Sequence, residues 1–311
     1  MAESLTEIKR RIDSTKSTEK ITQAMQMVSA SKLNQIEKKS TAYQLYYSKI
    51  REIVTHMAAA QLLALDNAKK LAEKDADEKQ PKGKIEVSSL MQQRPIKKTG
   101  YLVITSDRGL VGSYNSNVIK AVTDMITSDH KSSDEYVFMA VGGTGADFFK
   151  NRGMNIAYEY RGVSDVPTFN EVREIVTTAV SMYDSGVFDE LYVCYNHHVN
   201  SLRSEFRAEK MLPINDLDVS EVKNKNIEYI ADPSKEKVLD VILPQYAASL
   251  IFGALMDAKA AEHAAGMTAM RSATDNANDL IDKLTLNYNR ARQGAITQEI
   301  TEITAGVSAL E

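Results

Sequence analysis

From Ser4 to Leu65 the chain contains neither proline nor glycine. Over that length, an absence of both helix breakers predicts one continuous helix, roughly 90 Å long at 1.5 Å per residue. Within it Ile36, Tyr43, Tyr47, Ile50, Val54 and Met57 fall seven, four, three, four and three residues apart. This is a seam of coiled-coil width, and charge fills the other faces, as in Glu37-Lys38-Lys39. The end of the chain answers it: Ala273, Ala277, Leu280, Leu284, Tyr288, Ala291 and Ala295 recur at steps of three or four. Such a narrow stripe predicts a second long helix that needs a partner.

Between the two seams the period changes. Residues 66–98 are polar without a core-facing pattern and read as a mobile connection. Tyr101–Thr105 and Tyr136–Val141 are short apolar runs, each followed by a helical pattern, at Asn117–Thr127 and Thr144–Asn151. A strand near 155–160, a helix over Asn170–Tyr183 and a strand over Glu190–Tyr195 complete a βαβ rhythm, which predicts a mostly parallel sheet in three layers. An irregular stretch from 215 to 244, with Asp232-Pro233 and Pro244, leads to a helix from Gln245 to the end. Leu250, Ala254, Ala258, Ala261 and Ala265 line one face of that helix, and alanine lets helix axes approach to about 8 Å. The predicted fold is α/β: a long antiparallel coiled coil of the terminal helices (1–65 and 245–311) with a three-layer, Rossmann-like α/β domain (99–214) inserted between them.

Composition narrows the class. The 311 residues are 43% hydrophobic and 26% charged, ordinary values for a globular protein. A net charge of −4 argues against a nucleic-acid binder. No run of eighteen apolar residues suggests a membrane span. The start, Met1 to Glu7, has neither a signal-peptide core nor the Arg-rich character of a transit peptide, so a cytoplasmic chain is expected. Cys194, the sole cysteine, fits a reducing compartment.

Candidate chemistry is sparse. Ser106–Ser113 is glycine-rich and follows a strand, but it lacks the GxxxxGK[ST] pattern of a phosphate-binding loop. Val141–Phe148 offers GxG, with Phe148 where a dinucleotide site needs a small residue. Tight turns explain both. Cys194, His197 and His198 match no zinc spacing, and no nucleophile, base or carboxylate pair stands out. The chain is therefore expected to be non-catalytic, with no cofactor or metal of its own.

Three motifs carry a resemblance. Ile8-Lys9-Arg10-Arg11-Ile12 with Lys20–Lys32, then Thr105–Asn115, then Ala273–Leu284 continuing through Tyr288–Gln293 and Ile296–Ile303, occur in the order found in gamma subunits of bacterial F-type (rotary) ATP synthases, which the chain resembles over nearly its whole length. Gln23, Val111 and Val307 depart from residues common in that family, Lys, Cys and Ala. The resemblance implies a central rotor shaft, one copy per complex. Its partners would be the alpha and beta subunits of the catalytic head, the epsilon subunit and the membrane c-subunit ring, at the cytoplasmic face of the plasma membrane. It implies that Met25, in the Lys20–Lys32 segment, lies under acidic loops of the catalytic subunits, where a basic field from Lys9, Arg10, Arg11, Lys16 and Lys20 would assist. It also implies that Arg292, Gln293, Thr297 and Glu299 hydrogen-bond the head. From the residues alone, Ile21, Met25 and Val28 serve equally well as seam filling, because their spacing is helical. A nucleotide-dependent enzyme with a coiled-coil arm, and an adaptor coiled coil, are the rival classes.

Overall fold

The computed structural model describes residues 4–74, 88–92, 94–214, 217, 231 and 234–308. Helix α1 spans Leu5–Lys74 and α5 spans Lys235–Ser308. Between them lie β1 (Thr99–Ile104), α2 (Tyr114–Asp129), β2 (Tyr136–Val141), α3 (Gly143–Asn151), β3 (Ile156–Tyr160), α4 (Phe169–Asp184), β4 (Glu190–Asn200) and β5 (Arg203–Leu212). The α1 backbone thus stays helical nine residues beyond the expected end at Leu65. Within the predicted connections, 75–87 and 218–230 lie outside the described residues.

The five strands are ordered β3-β2-β1-β4-β5, with β1 to β4 parallel and β5 antiparallel to β4. Both faces of β1 and β2 are covered, which is why these strands read as unbroken apolar runs. Tyr101 and Val103 point to a cluster with Val118, Val122 and Ile126 of α2 and Phe149 of α3. Their neighbours Leu102 and Ile104 point the other way, into a larger core shared with α4, α1 and α5. One outer layer of the domain is therefore partly the coiled coil itself, so the insertion is welded to its stalk. Strand β5 is a finding the sequence reading lacked. Its alternation of exposed Arg203, Glu205, Arg207 and Glu209 with Ser204, Phe206 and Ala208 marks an edge strand with one wetter face.

Helix α4 starts at a capping box in which Thr168 and Glu171 satisfy each other's backbone. Burial, the largest influence on the Glu171 carboxyl, raises it, but hydrogen bonds from the hydroxyls and backbone N–H groups of Ser164 and Thr168 outweigh this and bring it down to about 2. A carboxyl held below its ordinary value contributes stability that is complete above the unfolded value near 4.5 and fades as pH falls towards 2. Glu171→Gln should accordingly lower stability at neutral pH by about 1 kcal/mol, the size of a lost cap. Melting curves of the two proteins should converge as the solution is acidified; a gap that persists at pH 2 would exclude this origin.

The terminal helices pair antiparallel. A buried hydrogen bond of 2.7 Å between the hydroxyls of Thr22 and Thr274 fixes their register, and the Tyr43 hydroxyl donates to the Ser249 carbonyl lower down. On α1 the predicted seam is correct: Ile36, Ile50, Val54 and Met57 are buried, while Tyr43 and Tyr47 pack their rings against Phe252 and Tyr246.

On α5 the predicted stripe needs correction. Ala277 and Leu284 are buried, but Leu280 is 40% exposed and Ala295 lies wholly in the exposed end. The packed positions are Met270, Thr274, Ala277, Ile281, Leu284, Tyr288 and Ala291, an unbroken alternation of four and three. Two helices can stay in contact only along a 3.5-residue repeat, and Thr274, polar but satisfied by Thr22, occupies one of its places.

Helix α5 also begins ten residues before the expected Gln245 and carries Pro244 inside it. An internal proline costs about 3 kcal/mol. Burial of Leu239, Leu243 and Tyr246 on either side offsets that cost. By length and composition α5 passes for a membrane span, contrary to the sequence expectation, but over half of that stretch is buried in the protein, which accounts for its apolar character.

Candidate interaction surface

Counting fourteen residues from the Thr22–Thr274 bond, down α1 and up α5, sets buried Ile8 level with Tyr288. Helix α1 begins at Leu5, so among the described residues α5 has no partner past Ala291, and it continues to Ser308. Seventeen unpaired residues project about 25 Å. Every described side chain from Arg292 to Gly306 is exposed.

This projecting end carries Arg292, Gln293, Thr297 and Glu299. Arg292 and Glu299 are two turns apart and share a face; Gln293 and Thr297 share the next, where the Thr297 hydroxyl donates to the Gln293 carbonyl at 2.9 Å. Beside them, and absent from the sequence-based candidates, runs an apolar stripe of Ile296, Ile300 and Ile303, exposed by 44, 58 and 62%. Its steps of four and three were readable as another stretch of seam. What the sequence did not reveal is that the partner helix has ended. A solitary helix with an isoleucine stripe in water needs a binding partner.

The second zone is on α1. Ile21, Met27 and Val28 are 60, 60 and 58% exposed and Met25 is 37% exposed. The seam-filling reading of this segment is therefore wrong: at this level the seam position is Thr22, one residue on from Ile21. Ile21, Met25 and Val28 share an exposed face outside the coiled coil, and Met27 projects from a different side of the helix. Towards the N-terminus Lys9, Arg10, Arg11, Lys16 and Lys20 are exposed, Arg10 pairing with Glu7 at 3.0 Å. Met25 and Arg292 lie roughly 30 Å apart along the rod, so the candidates divide into two surfaces.

At the strand-end loop before α3 a backbone donor that could meet a phosphate is already taken. Where a phosphate would meet the N-terminus of α3, Asp107 already sits. Its Oδ1 accepts from the Gly143 N–H at 2.9 Å and its Oδ2 from those of Gly162 and Val163 at 3.0 and 3.1 Å. Gly142 adopts φ +100°, and a Cβ there would lie 2.1 Å from the Thr105 carbonyl oxygen, so the glycine is required by a close backbone approach. The same region docks on the coiled coil: a Cβ on Gly112 would meet Ala269 at 3.6 Å. Cys194 is wholly buried and its thiol is pushed far up by desolvation, leaving it unreactive. His197 turns its ring away from Cys194 to Asp257 of α5, while His198 gives Asp257 only its backbone N–H and aims its ring at Glu37. Among the described residues no group of three or more His, Cys, Asp and Glu has a metal-holding arrangement.

Comparison with known proteins decides what such a rod is. A family model described as ATP synthase matches residues 4–310. The chain belongs to the ATP synthase gamma-chain family. It is 70% identical over 311 residues to the ATP synthase gamma chain of Lacticaseibacillus paracasei and 61% identical over 313 residues to that of Enterococcus hirae, with all of both chains covered in each case. Two solved structures share the fold. One is a chain of the Tetrahymena thermophila mitochondrial ATP synthase central stalk and c-ring, with TM-score 0.56 and 20% identity, covering 81% of this chain and 99% of that one. The other is a chain of the Euglena gracilis mitochondrial enzyme, with TM-score 0.54 and 14% identity, covering 90 and 95%. The rotor-shaft role expected from the sequence is the role of this gamma-chain family, and the chain is a subunit of a membrane-associated ATP synthase.

Proposed function

We propose that the chain is the non-catalytic central shaft of a bacterial F-type ATP synthase and that its two exposed surfaces are the bearings on which the catalytic head turns. The projecting end of α5 supplies one, with Arg292, Gln293, Thr297 and Glu299 giving polar contacts around the Ile296, Ile300 and Ile303 stripe. The patch around Met25 supplies the other, with Arg10 and Arg11 adding positive charge. The observation that carries this reading is a paired rod whose α5 end is left unpaired and apolar in a chain of the gamma-chain family. Alpha and beta subunits surround the rod; epsilon and the c-subunit ring meet the α/β foot at the cytoplasmic face of the plasma membrane.

The mechanism follows from symmetry. One rod with two unlike sides cannot present the same surface to three equivalent catalytic subunits, so each is biased to a different conformation and affinity. Turning the rod moves the bias from one subunit to the next. A turning bearing must meet different partners in succession, and flexible methionines on a surface re-pack more readily than branched or polar side chains. ATP, magnesium and the reacting phosphate are held by the partners.

Arg292→Ala tests the upper bearing. A hydrogen bond to a charged group is worth about 1.5–3 kcal/mol, so ATP turnover or its coupling to proton pumping should fall while the helicity and melting of the chain stay unchanged. Wild-type hydrolysis and pumping in this variant and in the corresponding Gln293, Thr297 and Glu299 variants would remove the assignment. The class itself is tested by the masses and copy numbers of co-purifying subunits: one copy beside a larger complex is expected, and self-association without partners would point to an adaptor coiled coil.

A further inference from the structure

Large side chains such as Phe169 and Phe252 interlock across one part of the boundary between the α/β domain and the paired helices, but beside the β4–β5 turn the boundary is smooth. Ala261, Ala264 and Ala265 of α5 line the same cleft as Asn200 to Ser204 of the β4–β5 turn, and Gly112 faces Ala265 and Ala269. Contacts between such small groups are non-directional. A slip of one residue along α5, about 1.5 Å, exchanges one alanine for the next at little cost in buried area. At this end of the boundary a directional contact has to add the register that small groups do not supply.

Among the described residues the polar links across this boundary are few. Thr268 donates to the Ser201 carbonyl at 2.9 Å and His263 meets the Asp165 carbonyl at 3.1 Å, both at exposed sites. Lys32 lies 3.8 Å from Asp165, and His198 Nε2 lies 3.9 Å from Glu37, where hydrogen bonding is weak. Asp257 stands apart. It is part-buried on the sheet-facing side of α5, and both of its oxygens are used: Oδ1 accepts the backbone N–H of His198 at 2.9 Å and Oδ2 meets Nδ1 of His197. A carboxylate gripping one backbone donor and one ring cannot slide without losing both bonds.

We propose that Asp257 is a positioning residue that keys the α/β foot to the shaft, setting the angular stiffness with which torque passes between them. This rests on the rotor reading above. Strand β4 is the element keyed, and it lies next to the central strand β1, so a load applied anywhere on the foot reaches the shaft through a rigid sheet. Arg207, Glu209 and Glu37 line the neighbouring cleft but none of them bonds Asp257, so removing its carboxylate does not regroup the others around it.

The test uses the complete enzyme with the head immobilised, a bead on the exposed foot, and the shaft locked to the head by a reducible disulfide. With the tie closed, the width of the bead's angular fluctuation reports the stiffness of the path from shaft to foot. Asp257→Ala removes both charge-assisted bonds, so the angular variance should widen, by about twofold if they carry half of the stiffness. Asp257→Asn, which can still accept from His198, should fall between it and the wild type, and is the variant to read if Asp257→Ala fails to assemble. Hydrolysis by the detached head should be unchanged in both. Equal variances in all three proteins would overturn the proposal. Failure of the bead to rotate in the reduced wild-type enzyme supplied with ATP would instead overturn the rotor reading, so the two failures are distinct.

Discussion

A disulfide between the Lys20–Lys32 segment and the facing loop of a catalytic subunit is expected to abolish multi-site ATP turnover, and reduction to restore it. Met27, 60% exposed, is the side chain to replace, since nothing in the coiled coil depends on it. The native thiol does not interfere: Cys194 is buried in the α/β domain, and Cys194→Ala removes it without placing a hydroxyl among apolar neighbours. The expected loss is nearly complete because a covalent tie keeps the rod from visiting the other two catalytic subunits, while the site it already faces can still bind nucleotide. A control disulfide joining α1 to α5 should leave turnover intact, because those helices move as one body. The measurement is steady-state ATP hydrolysis with oxidised and reduced protein. Hydrolysis that continues undiminished with the tie fully formed would make the chain a static scaffold.

How far the sequence could anticipate this surface depends on what fixes each element. Helix α1 was legible because an absence of glycine and proline is a local property, and the βαβ order because apolar runs alternate with helical patterns. Two features decided by tertiary contact were not. Pro244 reads as a break, yet the buried side chains of Leu239, Leu243 and Tyr246 hold the helix across it. Strand β5 shows charges at every second position, which as an isolated signal is weaker than an apolar run; its place in the sheet comes from pairing with β4. The bearing residues illustrate the same limit more sharply. Ile21, Met25 and Val28 have the spacing of a seam, and so do Ile296, Ile300 and Ile303, but spacing cannot say whether a partner helix is present. On α1 the partner is there and the seam is displaced by one residue; on α5 the partner has ended.

That displacement separates two substitutions which the sequence alone treats as equals. Leu284 is buried at 4% exposure and Leu280 is 40% exposed, although both fall on the stripe drawn from residue spacing. Leu284→Asp would place an unpaired carboxylate in the seam, where it must be protonated, or the helices must part. Either outcome costs several kcal/mol, and the lost packing adds to it. Leu280→Asp would put its charge in water at a cost within about 0.5 kcal/mol, typical of a surface site. The first variant should therefore melt well below the wild type and fail to enter the catalytic head, and the second should melt like the wild type and assemble. Thr274→Val probes the same seam more gently: it keeps the shape but removes the bond across the helices, while the Thr22 hydroxyl keeps the Glu19 carbonyl, a loss of about 0.5–1.5 kcal/mol. Ranked melting temperatures in the order Leu280→Asp, Thr274→Val, Leu284→Asp, from highest to lowest, would confirm the register that the Thr22–Thr274 bond sets; Leu280→Asp melting as low as Leu284→Asp would mean that the helices pair one position away.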